Sequence, residues 1–274
     1  MENEFEISKY ERDKNPHAHF HETYEILIPL SNEGTFFVQE NGYQLCFGTI
    51  FILHEYVIHR CFCSGNKSYA RYAIHFPRRI LEEMSTSRTN LSALFENAPL
   101  VLRVQDDALA NLLGILCNLT KPNSDDFGND IERALSFRKF LLMLAKIIAQ
   151  EEPLPPPLPK SDPRVDKVLQ YIHANYSCPI SLETLSKEFY ISKSRLSQQF
   201  RKSTGFSIGD YIITYRIRRA CVLLRQGMKI QNISKAVGFQ NDTHFIRTFK
   251  KRMGMCPSDF EKQVLAGSSP NILF

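Results

Sequence analysis

The run HAHFHETYE, residues 17–25, sets His17, His19, His21, Thr23 and Glu25 at alternate positions. In an extended strand such positions share one face, so these side chains would form a single polar wall. A further imidazole, His59, follows Gly48 by eleven residues. His19, His21, Glu25 and His59 offer three nitrogen ligands and one anionic oxygen, a complete set for a divalent Zn, Mn, Fe or Ni ion. The same residues suit two metal-free uses: the wall of a small-molecule effector pocket, or a hydrogen-bonded structural cluster. Arg71 and His75, in a later β-rich run, are expected to line the same cavity.

A different chemistry is carried by GFQNDTHFIRTFKKRMG, Gly238 to Gly254. On a helix Phe245, Phe249 and Met253 form one inward stripe, and Thr243, Arg247, Lys250 and Lys251 face outward. A lone helix of this kind reads as a solvated basic face, but this one is the second copy of a unit. Leu182, Leu185, Ser186 and Lys187 recur as Ile230, Ile233, Ser234 and Lys235, and Leu196, Phe200, Arg201, Lys202 and Gly205 recur as Phe245, Phe249, Lys250, Lys251 and Gly254. Each copy predicts a short helix, a tight turn and a longer helix, capped by Ser192 in the first and by Asn241 or Asp242 in the second. In the first long helix Leu196 and Phe200 turn inward, leaving Ser194, Arg195, Ser197, Gln198, Arg201 and Lys202 outside. Gln and Arg can pair bidentately with base edges while Lys and flanking Arg hold phosphates, which suits a major groove.

The rest of the chain must position these two sets. Residues 160–274 carry 19 Lys and Arg against 8 Asp and Glu, a net +11, and residues 1–159 carry 15 against 21, a net −6. The basic half wants a polyanion. Between the halves PLPPPLPKSDP, residues 153–163, reads as a semi-rigid linker. The first half holds β-rich runs, TFFVQ, YQLCF, TIFILHEYVIH and YARYAIHF, with turns at Ser31–Gly34 and Asn41–Gly42, the pattern of a small antiparallel barrel. After it, Leu109, Leu112, Leu113 and Leu116 share a stripe, and IERALSFRKFLLMLAKIIAQ offers a second apolar face, for a dimer partner or for the protein's own barrel. Seven scattered cysteines show no zinc or disulfide spacing, and Cys61 and Cys63 would share a strand face. The N-terminus lacks a signal-peptide pattern and no run is long enough to span a membrane, so the expected location is the cytoplasm.

Ile172, Asn175, Tyr176, Ile180, Leu182, Phe200, Gly205, Tyr211, Arg216, Ala220, Leu223, Leu224, Ile233, Gly238, Phe239, Phe245, Phe249, Gly254 and Pro257 resemble the signature of the AraC/XylS transcription regulators. The resemblance implies seven helices in two helix-turn-helix units, with base-contacting positions at Ser194, Ser197 and Gln198, then Asp242, Thr243, Ile246 and Arg247. Asp242 and Ile246 are poor base readers, which shifts weight to Arg247 and to apolar contact with a thymine methyl. His19, His21 and Glu25, then Gly48 and His59, resemble the two cupin motifs, with His54 and Tyr56 where those motifs usually have proline and glycine.

The expected fold class is α+β: a cupin-like antiparallel β-barrel with two dimerisation helices, then an all-α tandem helix-turn-helix domain. Its divisions are an effector-sensing barrel over 1–100, a helical dimerisation segment over 101–152, the linker over 153–163 and the DNA-binding domain over 164–274. The expected function is a non-enzymatic regulator that binds promoter DNA as a homodimer and senses a small molecule. A sugar is the effector class the resemblance points to, and RNA polymerase is a further partner. The competing expectations are a metal-dependent cupin enzyme fused to a DNA-binding module, and an architectural protein indifferent to sequence.

Overall fold

The structure is a computed structural model that describes residues 5–10, 19–38, 41–62, 69–122, 124–150 and 162–265. Runs of β-branched and aromatic residues build its first half. YEILIP (β2, Tyr24–Pro29), TIFIL (β5, Thr49–Leu53) and RYAIHF (β7, Arg71–Phe76) pair antiparallel in a five-stranded sheet of order β1-β7-β2-β5-β8. β1 (Glu6–Tyr10) and β8 (Val101–Arg103) form its edges. A three-stranded sheet, β4-β3-β6, is made by Thr35–Val38 (β3), Asn41–Gln44 (β4) and His59–Phe62 (β6). The two sheets close on each other: Leu27, Phe51 and Leu53 of one share a core with Phe36, Val38 and Cys61 of the other.

The opposite face of the large sheet carries the even-numbered side chains, Ile26, Ile28, Ile50, Ile52 and Ile74. Two short helices, α1 (Arg79–Met84) and α2 (Leu91–Glu96), and two long ones, α3 (Asp106–Leu119) and α4 (Asn129–Ile148), cover it. Leu109, Leu112 and Leu116 of α3 are fully buried there beside Phe137, Phe140 and Leu144 of α4. The leucine stripe is therefore packed on the protein's own sheet, each side chain contributing roughly 1.5–3 kcal/mol, and it is not a free dimer face.

Several element bounds differ from the sequence reading. The strand expected through the histidine run starts only at Tyr24, after a bend at Glu22 and Thr23, and His17 lies outside the described residues. Asn41 and Gly42, expected as a turn, open β4, because Val38 pairs with Asn41. TIFILHEYVIH breaks into β5 and β6 around a turn at Glu55 and Tyr56. The segment expected to be helical from residue 101 opens with β8, which pairs with β5. Most of the proline-rich stretch, and Cys63, lie outside the described residues.

The second half is all helix: α5 (Pro163–Asn175), α6 (Leu182–Glu188), α7 (Lys193–Thr204), α8 (Ile208–Arg225), α9 (Ile230–Ala236), α10 (Asp242–Met253) and α11 (Pro257–Leu265). The repeat becomes α6–α7 and α9–α10, joined by α8. Gly238, with φ +86°, makes the turn of the second unit against α5, and an added Cβ would lie 2.7 Å from the carbonyl oxygens of Tyr176 and Ser177. Only glycine meets both demands. No helix among the described residues is long and apolar enough to cross a membrane.

Candidate functional site

The two long helices of the repeat are built alike. The side chain of Ser192 accepts from Arg195 N at the start of α7, and that of Asn241 accepts from His244 N at the start of α10, so Asn241 and not Asp242 is the cap. Both helices end on a left-handed glycine, Gly205 at φ 76° and Gly254 at φ 73°. Leu196 and Phe200 are buried under α7, and Phe245, Phe249 and Met253 under α10. Of the outward residues, Ser194, Arg195, Gln198, Arg201 and Lys202 are exposed and Ser197 is half-buried. Asp242, Thr243, Ile246, Arg247, Lys250 and Lys251 are all exposed. α8 packs against both units and fixes their mutual orientation.

In the barrel His21, Glu25 and His75 bring donor atoms within 4.8 Å of one another, and His59 joins them through Glu25. His21 Nε2 and His59 Nε2 each lie 2.9 Å from the same oxygen, Oε2 of Glu25. Both rings are oriented from behind: Nδ1 of His21 is 2.8 Å from the Thr23 carbonyl and Nδ1 of His59 is 2.8 Å from the Val57 carbonyl. A carbonyl only accepts, so Nδ1 carries the proton in each ring. In the neutral tautomer two Nε2 lone pairs then face one carboxylate oxygen, with His59 Nε2 buried against it. A cation, whether protons on the imidazoles or a metal ion, is what such a trio accommodates.

Burial alone would push the Glu25 carboxyl up, but the neighbouring His59, His21 and His75 outweigh it and hold it well below the usual carboxylate range. Burial lowers the His75 imidazole, against the pull of Glu25, and favours the neutral form that ligates metals. His19 stands differently from the expectation. Its backbone bridges His59, and its ring meets that of His59 edge-on at 4.3 Å, whereas His75 supplies the converging donor. The bend at Glu22 and Thr23, not strand alternation, folds His21 over Glu25. Arg71 sits on the same side of β7 as His75, two alternations along the strand.

One group of residues escaped the sequence reading. Glu22, opposite in parity to His21, points into the seam between the halves, where Tyr56 OH donates to it and Arg225 Nη2 lies 3.2 Å away. Arg218 donates to the Tyr56 carbonyl, and Arg60 to the Gly205 carbonyl at the end of α7. Phe37 packs on Phe206 and Tyr211, with centroids 5.5 and 6.3 Å apart. Tyr56 holds φ +63°, a left-handed conformation costly for an aromatic residue. The signal was there, since Tyr56 stands where the resembled motif has glycine.

With this geometry in place, the chain matches the AraC-like ligand binding domain over residues 7–141 and a helix-turn-helix domain over residues 185–263. It is 24% identical to the HTH-type transcriptional activator RhaR of Escherichia coli over 245 residues, 88% of this chain and 86% of that protein. It is 36% identical to the Msm operon regulatory protein of Streptococcus mutans over 101 residues, 36% of each chain. A crystal structure of ToxT from Vibrio cholerae aligns with 95% of this chain at 14% identity and a TM-score of 0.39. The chain belongs to the AraC family of transcription regulators, with an AraC-like ligand-binding domain joined to a helix-turn-helix DNA-binding domain.

Proposed function

We propose that α7 and α10 enter two successive major-groove segments of promoter DNA and that the barrel over residues 1–100 admits the effector that governs this binding. The observation that carries the DNA-reading assignment is the paired construction of α7 and α10: each has a side-chain cap, a left-handed glycine stop and a buried stripe, under an exposed face that carries Arg195, Arg201 and Lys202 on α7 and Arg247, Lys250 and Lys251 on α10. Two such helices fixed by α8 would meet segments about one helical turn, roughly 34 Å, apart. Selection of bound DNA from random sequence, followed by footprinting, tests this. The expected outcome is a preferred site with two protected segments at that spacing, whereas equal affinity for scrambled DNA identifies an architectural protein.

The homodimer surface belongs to the outer face of α4. Ile131, Leu135 and Leu142 are 60%, 62% and 42% exposed on one side of that helix, while its other side is spent on the sheet. A second copy offering the same stripe would bury these residues by two-fold symmetry. RNA polymerase is the further partner on DNA, the cytoplasm is the working location, and a sugar is the effector class that the AraC resemblance supports.

The convergence of His21 Nε2, His59 Nε2 and Glu25 Oε2, with His75 close by, supports a second use of the barrel: holding a divalent metal. The donor set fits, because both imidazoles are held in the tautomer that presents Nε2. In an enzyme the same ion would act on a substrate; here it would help to seat the effector. Metal stoichiometry and turnover assays on the purified chain discriminate between these uses.

A further inference from the structure

Arg71 lies on the inner side of β7, opposite Pro29 of β2 and Tyr10 of β1. It is only 8% exposed. Its Nε and Nη1 are both shut away from water without a hydrogen-bond partner among the described residues. Buried arginines are ordinarily paired, because a guanidinium withdrawn from water needs acceptors in its own plane. The groups that pack on this one are aromatic instead. The Tyr10 and Tyr69 ring centroids stand 4.5 and 4.7 Å from Cζ, contacts that favour the cation through the π cloud and give Nε and Nη1 no oxygen acceptor.

The nearby anion cannot supply that edge. Glu25 is felt by Arg71 electrostatically, but it makes no hydrogen bond to Nε or Nη1, and its Oε2 is already shared by His21 and His59 at 2.9 Å. Between Arg71 and His75 the strand carries Ala73, the smallest side chain on that inner row, facing Leu27 across β2. The row thus runs from a fixed cation at one end to the histidine–carboxylate cluster at the other.

We propose that the effector carries an oxyanion, a carboxylate or a phosphate, and that Arg71 receives it through its in-plane N–H groups. This rests on the barrel being the sensor and names the class of molecule it takes: a small polar compound with one anionic end for Arg71. The two tyrosine rings pack on the guanidinium before the ligand arrives, so little order is lost on binding.

The full-length chain is titrated with D-glucuronate, glucose 6-phosphate, inorganic phosphate and neutral D-glucose at constant ionic strength, following thermal stability and heat of binding. At least one oxyanion probe is expected to bind and stabilise while glucose has no effect, the carboxylate and phosphate arms showing which source is preferred. Arg71→Met is expected to weaken that probe by about tenfold or more, the loss of a charged hydrogen bond. If Arg71→Met does not fold, Arg71→Lys, which keeps the charge without the planar fork, is expected to weaken it too. The proposal is overturned if no oxyanion probe binds, if glucose binds as well as the anions, or if affinity survives the substitution. Binding of selected DNA is measured on the same samples: intact DNA binding with no anion effect removes this inference alone, and absent DNA binding removes the regulator reading.

Discussion

Arg225 Nη2, in the last turn of α8, lies 3.2 Å from Oε1 of Glu22, 203 residues earlier in the chain. Glu22 is 3% exposed and follows His21, whose ring belongs to the barrel cluster. Adjacent residues of one bend thus touch the sensor interior and the helix that orients both DNA-reading units. Arg225→Met keeps the aliphatic stem and removes the charge. Because the Arg225 side chain is 36% exposed, solvent screening holds the expected loss of stability to about 1–2 kcal/mol. The effector's influence on DNA affinity should shrink, with affinity in its absence little changed. Unfolding curves and DNA titrations with and without effector check this, and a full-sized effector response in the variant would mean that coupling runs elsewhere.

Glu22 also predicts a pH dependence. Burial pushes its carboxyl up to about 7, with Arg225 pulling it down only in part and Glu55 adding to the rise. A carboxyl whose pKa is raised on folding favours the folded state fully while protonated in both states, below about 4.5. That contribution is lost as pH rises from about 4.5 to about 7, and is absent above. Glu22→Gln should remove this slope, so urea unfolding at intervals between pH 5 and 7.5 should show a variant that gains on the wild type as pH rises.

The DNA-binding half was legible because its information is periodic and local. Phe245, Phe249 and Met253 repeat at helical spacing, and Ser192 and Gly205 bound their helix by capping chemistry that needs no tertiary partner. The sensor half was legible only in type. His21 meets Glu25 through a bend that alternation cannot reveal, and His75 arrives from a strand some fifty residues on. The stripe of Leu109, Leu112 and Leu116 looks the same whether it meets a partner or the protein's own sheet. Glu22 and Arg225 could not be matched at all, since nothing in either local pattern names its partner.

His21→Ala and His59→Ala each remove one Nε2 from the Glu25 oxygen. Both variants are expected to lose effector response while still binding DNA. If the cluster holds a metal, each should also drop its metal content below one equivalent by elemental analysis. Wild-type protein purified without metal, and with normal effector response, leaves the organic-ligand pocket as the use of the cluster.

The α4 surface predicts the outcome of two contrasting substitutions. Leu135→Glu with Leu142→Glu alters exposed positions and should give a folded monomer with weaker DNA binding, seen by sedimentation. Leu112→Glu places a charge in the fully buried core between α3, α4 and the sheet. It should unfold the sensor domain outright. A double variant that sediments like the wild type would remove α4 as the interface.

The outer face of α10 makes the sharpest prediction. Phe245 and Phe249 are buried, which sends Arg247 outward from the early part of the helix, where a recognition helix meets base edges, and leaves Lys250 and Lys251 near its far end. Arg247→Ala should cost on the order of 1–3 kcal/mol on the preferred site and relax discrimination at one base pair, the guanine that a bidentate arginine reads. Arg247 and Lys251 are both exposed, so neither Arg247→Ala nor Lys251→Ala should disturb folding. Lys251→Ala should weaken preferred and scrambled DNA about equally and flatten the salt dependence by roughly one counterion. Titrations of both variants on both DNAs across a salt series decide the matter. An Arg247→Ala protein that lost affinity equally for the two sequences would place Arg247 on the phosphate backbone and leave base reading to α7.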